Sequence, residues 1–232
     1  MIFSYWDRAD VSPINEFILE WRAHFPNFRI FGDAEVESMI VQYFPEYQEM
    51  FRSIRIPTCK SDLALLLVLY EFGGLYVDCH CGVRDPEKIK DLSEKLAQYE
   101  LILYDKDNSS RPEARGKLFP LNSVLFARPN SKIILDCATQ AFRNCAAEWE
   151  AEKKNDFVEY DIWFLSGPRI LHERLLNPSR TELQADCAGK VLFIPEGDSS
   201  APIGRYMHYS YREPGMHWSE RQRREPLFLP PE

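Results

Sequence analysis

Apolar positions fall into short continuous runs separated by longer stretches with helical spacing. Residues 2–6 are such a run and read as a first strand. Over residues 13–24, Ile14, Phe17, Ile18 and Trp21 recur at the spacing of one helix face. Ser12-Pro13 suits a cap followed by proline in the first turn. Residues 28–31 read as a second strand, Asp33 as the cap of a helix to about Tyr43, and Pro45 as the start of another short helical piece. Residues 61–72 are apolar nearly all round, which predicts a buried helix. Gly73-Gly74 ends it, and residues 75–77 follow as a strand. Asp85-Pro86 opens a polar helix to about Ala97. Strands are expected at 101–104 and 123–127, joined by a polar loop over 105–117 that carries Asn108-Ser109-Ser110. A long helix spans 131–152. Residues 157–176 are expected to be mostly helical, broken at Ser166-Gly167-Pro168, before a strand at 191–194. From Gly204 onward the chain is aromatic, basic in places and rich in proline.

Strands alternating with helices predict an α/β fold with a mostly parallel central sheet. No repeat or linker interrupts the pattern, so residues 1–232 are expected to form a single domain with a tail or lid over about 204–232. In such sheets ligands sit beyond the carboxyl ends of the strands. Asp78 and His80 follow the third apolar strand and meet that rule.

Composition narrows the class. A hydrophobic content of 45% is enough for a sizeable core, and a net charge of −8 argues against a nucleic-acid partner. No apolar run approaches the ~18 residues of a membrane span. Met1 leads straight into the first strand with no basic leader. The expectation is a cytoplasmic protein, free or peripheral to a membrane. Six scattered cysteines read as reduced and mostly buried.

Side chains in an extended segment alternate faces. Asp78 and His80 would therefore point one way, and Cys79 and Cys81 the other. A carboxylate and an imidazole converging at a buried strand end make a half-site for a divalent metal. The bland alternative is a structural histidine beside a turn-capping aspartate. A zinc site on Cys79-His80-Cys81 is disfavoured, because no second Cys/His pair stands at ligand spacing. Ser166 lacks the surroundings of a nucleophile elbow. His24 and His172 suggest no function.

The stretch from Ser61 to Cys81, SDLALLLVLYEFGGLYVDCHC, resembles the sugar-nucleotide-binding segment of the DXD-containing glycosyltransferases. That group includes capsule and lipopolysaccharide glycosyltransferases, yeast initiating mannosyltransferases and the glucosylating domains of clostridial toxins. Ser61, Asp62, Gly73, Gly74, Tyr76 and Asp78 stand at the spacings of its pattern. Weaker likenesses cover most of the chain: the opening strand ending in Trp6, Asn122, the Ser-Gly-Pro turn at Ser166, and a C-terminal His208 and Trp218.

The resemblance implies a GT-A-like fold and transfer of a hexose from a UDP- or GDP-sugar to a hydroxyl acceptor. It implies Mn²⁺ or Mg²⁺ as cofactor, retention of anomeric configuration, and a glycan or lipid-linked acceptor in bacterial surface polysaccharide synthesis. Asp78 and His80 would be the catalytic pair and hold the metal, with His208 as a third ligand. Trp6, Asp62, Gly73, Gly74, Tyr76, Asn122 and Trp218 would line the donor site. Each has a plainer reading: Asp62 as an acid complementing a helix dipole, Trp6 and Tyr76 as core aromatics, His208 as an exposed tail residue, Trp218 as a dock for the tail.

Two positions depart from the pattern. The second motif carboxylate is His80, a residue type that suits Mn²⁺ and that mucin-type GalNAc transferases also use. The family's donor-contacting arginine is Leu65, which cannot make a charge-assisted bond. Arg205 and Arg212 are the candidates to replace it. Otherwise the protein is a catalytically degenerate sugar-nucleotide binder. A third reading is a metal-dependent hydrolase built on Asp78, His80 and His208.

Overall fold

The short apolar runs pair into a central sheet, and the amphipathic stretches cover both of its faces. The computed structural model describes residues 1–106, 110–155, 157–196 and 201–229. Asn108 and Ser109 of the polar loop, and the last three residues of the tail, lie outside them. The described strands are β1 (Ile2–Tyr5), β2 (Arg29–Phe31), β3 (Gly74–Val77), β4 (Gly82–Val83), β5 (Leu101–Asp105), β6 (Pro120–Ala127), β7 (Val191–Pro195) and β8 (Ile203–Gly204). Six of them form one sheet in the order β2-β1-β3-β6-β5-β7. β6 runs antiparallel to both neighbours, and the other adjacent pairs are parallel. This is the mostly parallel α/β sheet that the sequence pattern predicts.

Alternation along each strand divides the core in two. Phe3, Tyr5, Tyr76, Leu103 and Leu125 face a large cluster under α2 (Asp33–Tyr43), α4 (Pro57–Phe72), α6 (Lys132–Glu152) and α8 (Pro168–Leu175). Leu75, Val77, Ile102, Val124 and Phe126 face a second cluster with α1 (Asn15–His24) and α5 (Pro86–Glu94). Burial on both faces is why the strands read as continuous apolar runs.

Several boundaries differ from expectation. Ser12–Ile14 forms a 3-10 turn before α1. Asp33 is the first helical residue of α2 rather than its cap, and its carboxylate binds Tyr5 and Lys60 instead. Pro57 starts α4 a full turn before Ser61, because its fixed φ and missing N–H suit a first helical position. Asp62 is therefore inside the helix, not at its dipole end. Residues 157–161 are not helical, and only the short α7 (Ile162–Leu165) precedes the break at Ser166.

Gly73 and Gly74 turn the chain from α4 into β3, with φ of 61° and 99°. A Cβ on Gly74 would stand 2.1 Å from the Met1 carbonyl oxygen, and one on Gly73 2.5 Å from the Pro129 nitrogen. Only glycine fits both the conformation and the space. β1 and β3 lie side by side at the point where strand order reverses, with β2 beyond β1 and the later strands beyond β3. Ligand crevices open at such a switch point, beyond the carboxyl ends. β4 and β8 pair separately and tie residues after 200 to the turn that follows β3.

Candidate active site

A cavity of about 420 Å³ opens beyond the carboxyl ends of β1 and β3. That volume lies in the range of small-molecule sites. Trp6, Asp62, Tyr76, Asp78, His80, Asn122 and Trp218 all line it.

Asp78 and His80 come together through a turn. β3 stops at Val77, and the Cys81 N–H donates to the Asp78 carbonyl at 2.9 Å. This tight turn, rather than strand alternation, sets His80 Nδ1 3.8 Å from Asp78 Oδ2. Cys79 turns away to Ser4 and the Tyr5 carbonyl, and Cys81 to the Ser123 carbonyl. All six cysteines are buried thiols.

The Asp78 side chain is 30% exposed, toward the cavity. Its Oδ1 accepts from the Tyr76 hydroxyl at 2.7 Å, and that hydroxyl meets Ser61 Oγ at 2.9 Å. Burial, reinforced by the neighbouring Asp78 charge, pushes the Tyr76 phenol well up, so it stays a neutral donor. Tyr76 is thus both a core aromatic and the group that orients the motif carboxylate.

Burial pulls the His80 pKa down. Asp78 opposes this, while Arg212 and Arg205 add to it. The imidazole is therefore neutral, the form that ligates metals. Its Nε2 is buried without a partner, and its ring stacks parallel to Tyr206 and Tyr209 at 5.0 and 5.9 Å.

Asp62 projects from the second turn of α4 and is only 5% exposed. Asn122 Nδ2 donates to it at 2.7 Å and Ser166 Oγ at 2.8 Å. Burial pushes its pKa up to about 8, helped by Asp78 and opposed by those two hydrogen bonds. Ser166 is thereby a positioning partner of Asp62. Trp6 follows β1 and packs edge-on against Tyr211 at 5.6 Å. Trp218 opens the short helix α9 (Trp218–Arg221), packs against the core and also faces the cavity. Docking the tail and walling the site are one role here.

Three expected site residues lie elsewhere. Gly73 and Gly74 sit at the opposite end of β3, roughly 13 Å away at strand rise. Their role is the turn already described. His208 does not join Asp78 and His80: its Nε2 is bound to Glu20 of α1, which also accepts the Val83 N–H at 2.8 Å. Among the described residues, no group of three or more His, Cys, Asp or Glu is arranged to hold a metal ion. Asp78 and His80 nevertheless fit a two-ligand half-site. Ligands sharing one octahedral ion stand about 3 to 4 Å apart, and the neutral imidazole supplies a lone pair.

Leu65 is 2% exposed and belongs to the core. The void it lines beneath Asp62 holds only about 10 Å³. His24 is exposed. His172 is a core residue against the Pro120 carbonyl, its pKa lowered by burial to about 4.

The sequence reading missed Asp7, Trp163, Tyr206 and Tyr211, which also line the cavity. Asp7 had a signal, since it follows Trp6 at a strand's carboxyl end. Trp163 had none.

A crevice at a sheet switch point, with an oriented carboxylate, a neutral imidazole and aromatic walls, is a small-molecule type of site. Residues 15–93 match the family described as the glycosyltransferase sugar-binding region containing DXD motif. The matched segment holds Asp78-Cys79-His80 at the motif position. Similar solved structures include "PaToxG Glycosyltransferase", at 14% identity and TM-score 0.45, with 75% of this chain and 67% of that one covered. The ligand-free glycosyltransferase domain from the YGT toxin gives 12% and 0.45, covering 77% and 55%. Its UDP-bound form gives 11% and 0.43, covering 71% and 52%. The chain spans about half the length of the YGT toxin structures. No curated protein matches the chain.

Proposed function

We propose that the protein transfers a hexose from a UDP- or GDP-sugar to a hydroxyl acceptor, with a divalent metal and with retention of configuration. The observation that carries this reading is the convergence of Trp6, Asp62, Tyr76, Asp78, His80, Asn122 and Trp218 on one cavity. Asp78 and His80 would hold Mn²⁺ or Mg²⁺. Such an ion supplies Lewis-acid stabilisation of the departing diphosphate. Tyr76 fixes the Asp78 carboxylate, and burial keeps His80 neutral. Asp62, steadied by Asn122 and Ser166, offers a buried carboxyl group to sugar hydroxyls. Trp6 and Trp218 offer flat apolar faces to the nucleotide. No protein base is assigned; the acceptor proton would pass to the leaving diphosphate. Retention and an acceptor in bacterial surface polysaccharide rest on the family resemblance alone. Among the described residues no helix is long and apolar enough to cross a membrane.

Burial of Leu65 in the core favours a second reading, a binder of sugar nucleotides without turnover. The hydrolase reading has lost its third ligand, since His208 is held by Glu20. Incubating the protein with UDP- and GDP-hexoses and Mn²⁺, and following free sugar by NMR, separates these. Slow donor hydrolysis releasing the donor's own anomer is expected, and Asp78→Ala should lower it on the order of a hundredfold to a thousandfold. Nucleotide binding without any turnover would leave the degenerate binder.

A further inference from the structure

The cavity wall is rich in carboxylates. Asp7 and Asp78 line it beside the protonated Asp62, and a diphosphate entering it needs a cation. Among the described residues, three cationic side chains face the cavity: Lys106, Arg205 and Arg212. Lys106 is engaged in an interaction of its own. Arg205 is paired with Glu196 and donates to the Tyr206 hydroxyl at 2.6 Å, while its Nε is sealed from solvent.

Arg212 is different. Its guanidinium lies over the Tyr209 ring at 4.5 Å, with the Tyr211 ring at 6.0 Å. Among the described residues no carboxylate pairs with it. The Tyr209 ring that carries it is itself stacked parallel to His80. The Arg212 N–H donates to the Tyr209 carbonyl at 2.9 Å, which fixes the turn presenting the side chain. Arg212 also lines an adjoining compartment of about 170 Å³, shared with Trp6 and Trp218. It therefore lines both the cavity that holds Asp78 and His80 and the compartment walled by Trp6 and Trp218. A nucleoside diphosphate would lay its phosphates there.

We infer that Arg212 is the diphosphate-binding cation of this site, supplied by the C-terminal segment where the family pattern would place an arginine at Leu65. This rests on the donor-site reading above. A guanidinium braced by aromatic faces keeps its N–H fork free for two phosphate oxygens. The anion site is then complete only while the tail is docked.

Calorimetry of the full chain with inorganic pyrophosphate and Mg²⁺ tests the inference. Arg212→Gln should weaken pyrophosphate binding roughly tenfold or more, with the melting temperature of the free protein unchanged. Arg212→Lys should recover part of the loss. Arg223→Gln makes the same charge change on an exposed tail residue outside the cavity and should leave affinity unchanged. Equal affinity in wild type and Arg212→Gln, or no pyrophosphate binding by wild type, would overturn the inference. Arg212-dependent pyrophosphate binding with no binding of UDP or GDP would uphold it and overturn the donor reading instead.

Discussion

The two walls of the cavity are built differently. The body wall comes from α4, β3 and β6, and its polar groups bind one another: Ser61 to Tyr76 to Asp78, and Asn122 and Ser166 to Asp62. These side chains stand on buried elements and are positioned before any ligand arrives. The tail wall carries Tyr206, Tyr211, Arg212 and Trp218, with Tyr209 bracing Arg212 and His80, on a segment with little regular structure. It is held by the two-residue β4–β8 pairing, by ring stacking on His80, by the His208–Glu20 contact and by the Met207 N–H on the His80 carbonyl at 2.8 Å. The contrast suggests a division of labour, with chemistry preset on the body and closure supplied by the tail. His80 belongs to both, as motif residue and as the platform on which the tail stacks.

Breaking the body wall should have the largest effect. Asp78→Ala should lower donor turnover on the order of a hundredfold to a thousandfold, with a melting temperature close to wild type, measured by product assay and thermal denaturation. The far end of the same strand should behave in the opposite way. Gly74→Ala forces a Cβ against the Met1 carbonyl oxygen at positive φ. It should cost about 2–4 kcal/mol of stability in denaturant titration. Unchanged stability would mean that the α4–β3 turn is not the constraint described.

Burial within and beside the wall should show as two opposite pH slopes. Asp62 holds its proton in the native state up to about 8, against an ordinary 3.8. Its contribution to stability is full below the ordinary value and is lost as pH rises through about 8. Asp62→Asn should flatten that loss. His172 is held neutral, with its pKa lowered from 6.5 to about 4. Its contribution is present above 6.5 and is lost as pH falls through about 4. That amounts to on the order of 3 kcal/mol. His172→Gln should remove this acid slope. Melting curves of both variants across this range check the signs.

The smallest effect is expected in the tail. His208→Ala should loosen the tail's hold on α1 by about 1 kcal/mol. It should speed amide exchange over residues 206–212 and raise KM more than it lowers kcat. A lost kcat with no change in exchange would return His208 to the chemistry.

What the sequence revealed follows the same division. The body wall was readable because it is local. Alternating apolar runs placed the strands, and the spacing from Ser61 to His80 put Asp62, Tyr76 and Asp78 in one unit. Even there, spacing could not say which motif residues face the ligand. Gly73 and Gly74 stand in the same run as Asp78, yet serve the other end of the strand. Pro57 also moved Asp62 inside its helix. The tail was not readable because its contacts are long-range. Nothing in residues 201–218 announces that β8 pairs with β4 or that His208 meets Glu20. Those partners lie well over a hundred residues away and have no periodic signature.

The central claim is that the Asp78–His80 cavity is a metal-assisted nucleotide-sugar site. Thermal denaturation of wild type and Asp78→Ala with UDP, GDP and their sugars, each with and without Mn²⁺, tests it most directly. A ligand at ~100 times its Kd stabilises the state it binds by roughly 2.7 kcal/mol. The account predicts a shift that needs both one nucleotide and Mn²⁺ and that vanishes in Asp78→Ala. No shift with any nucleotide, or an equal shift in the variant, would contradict it.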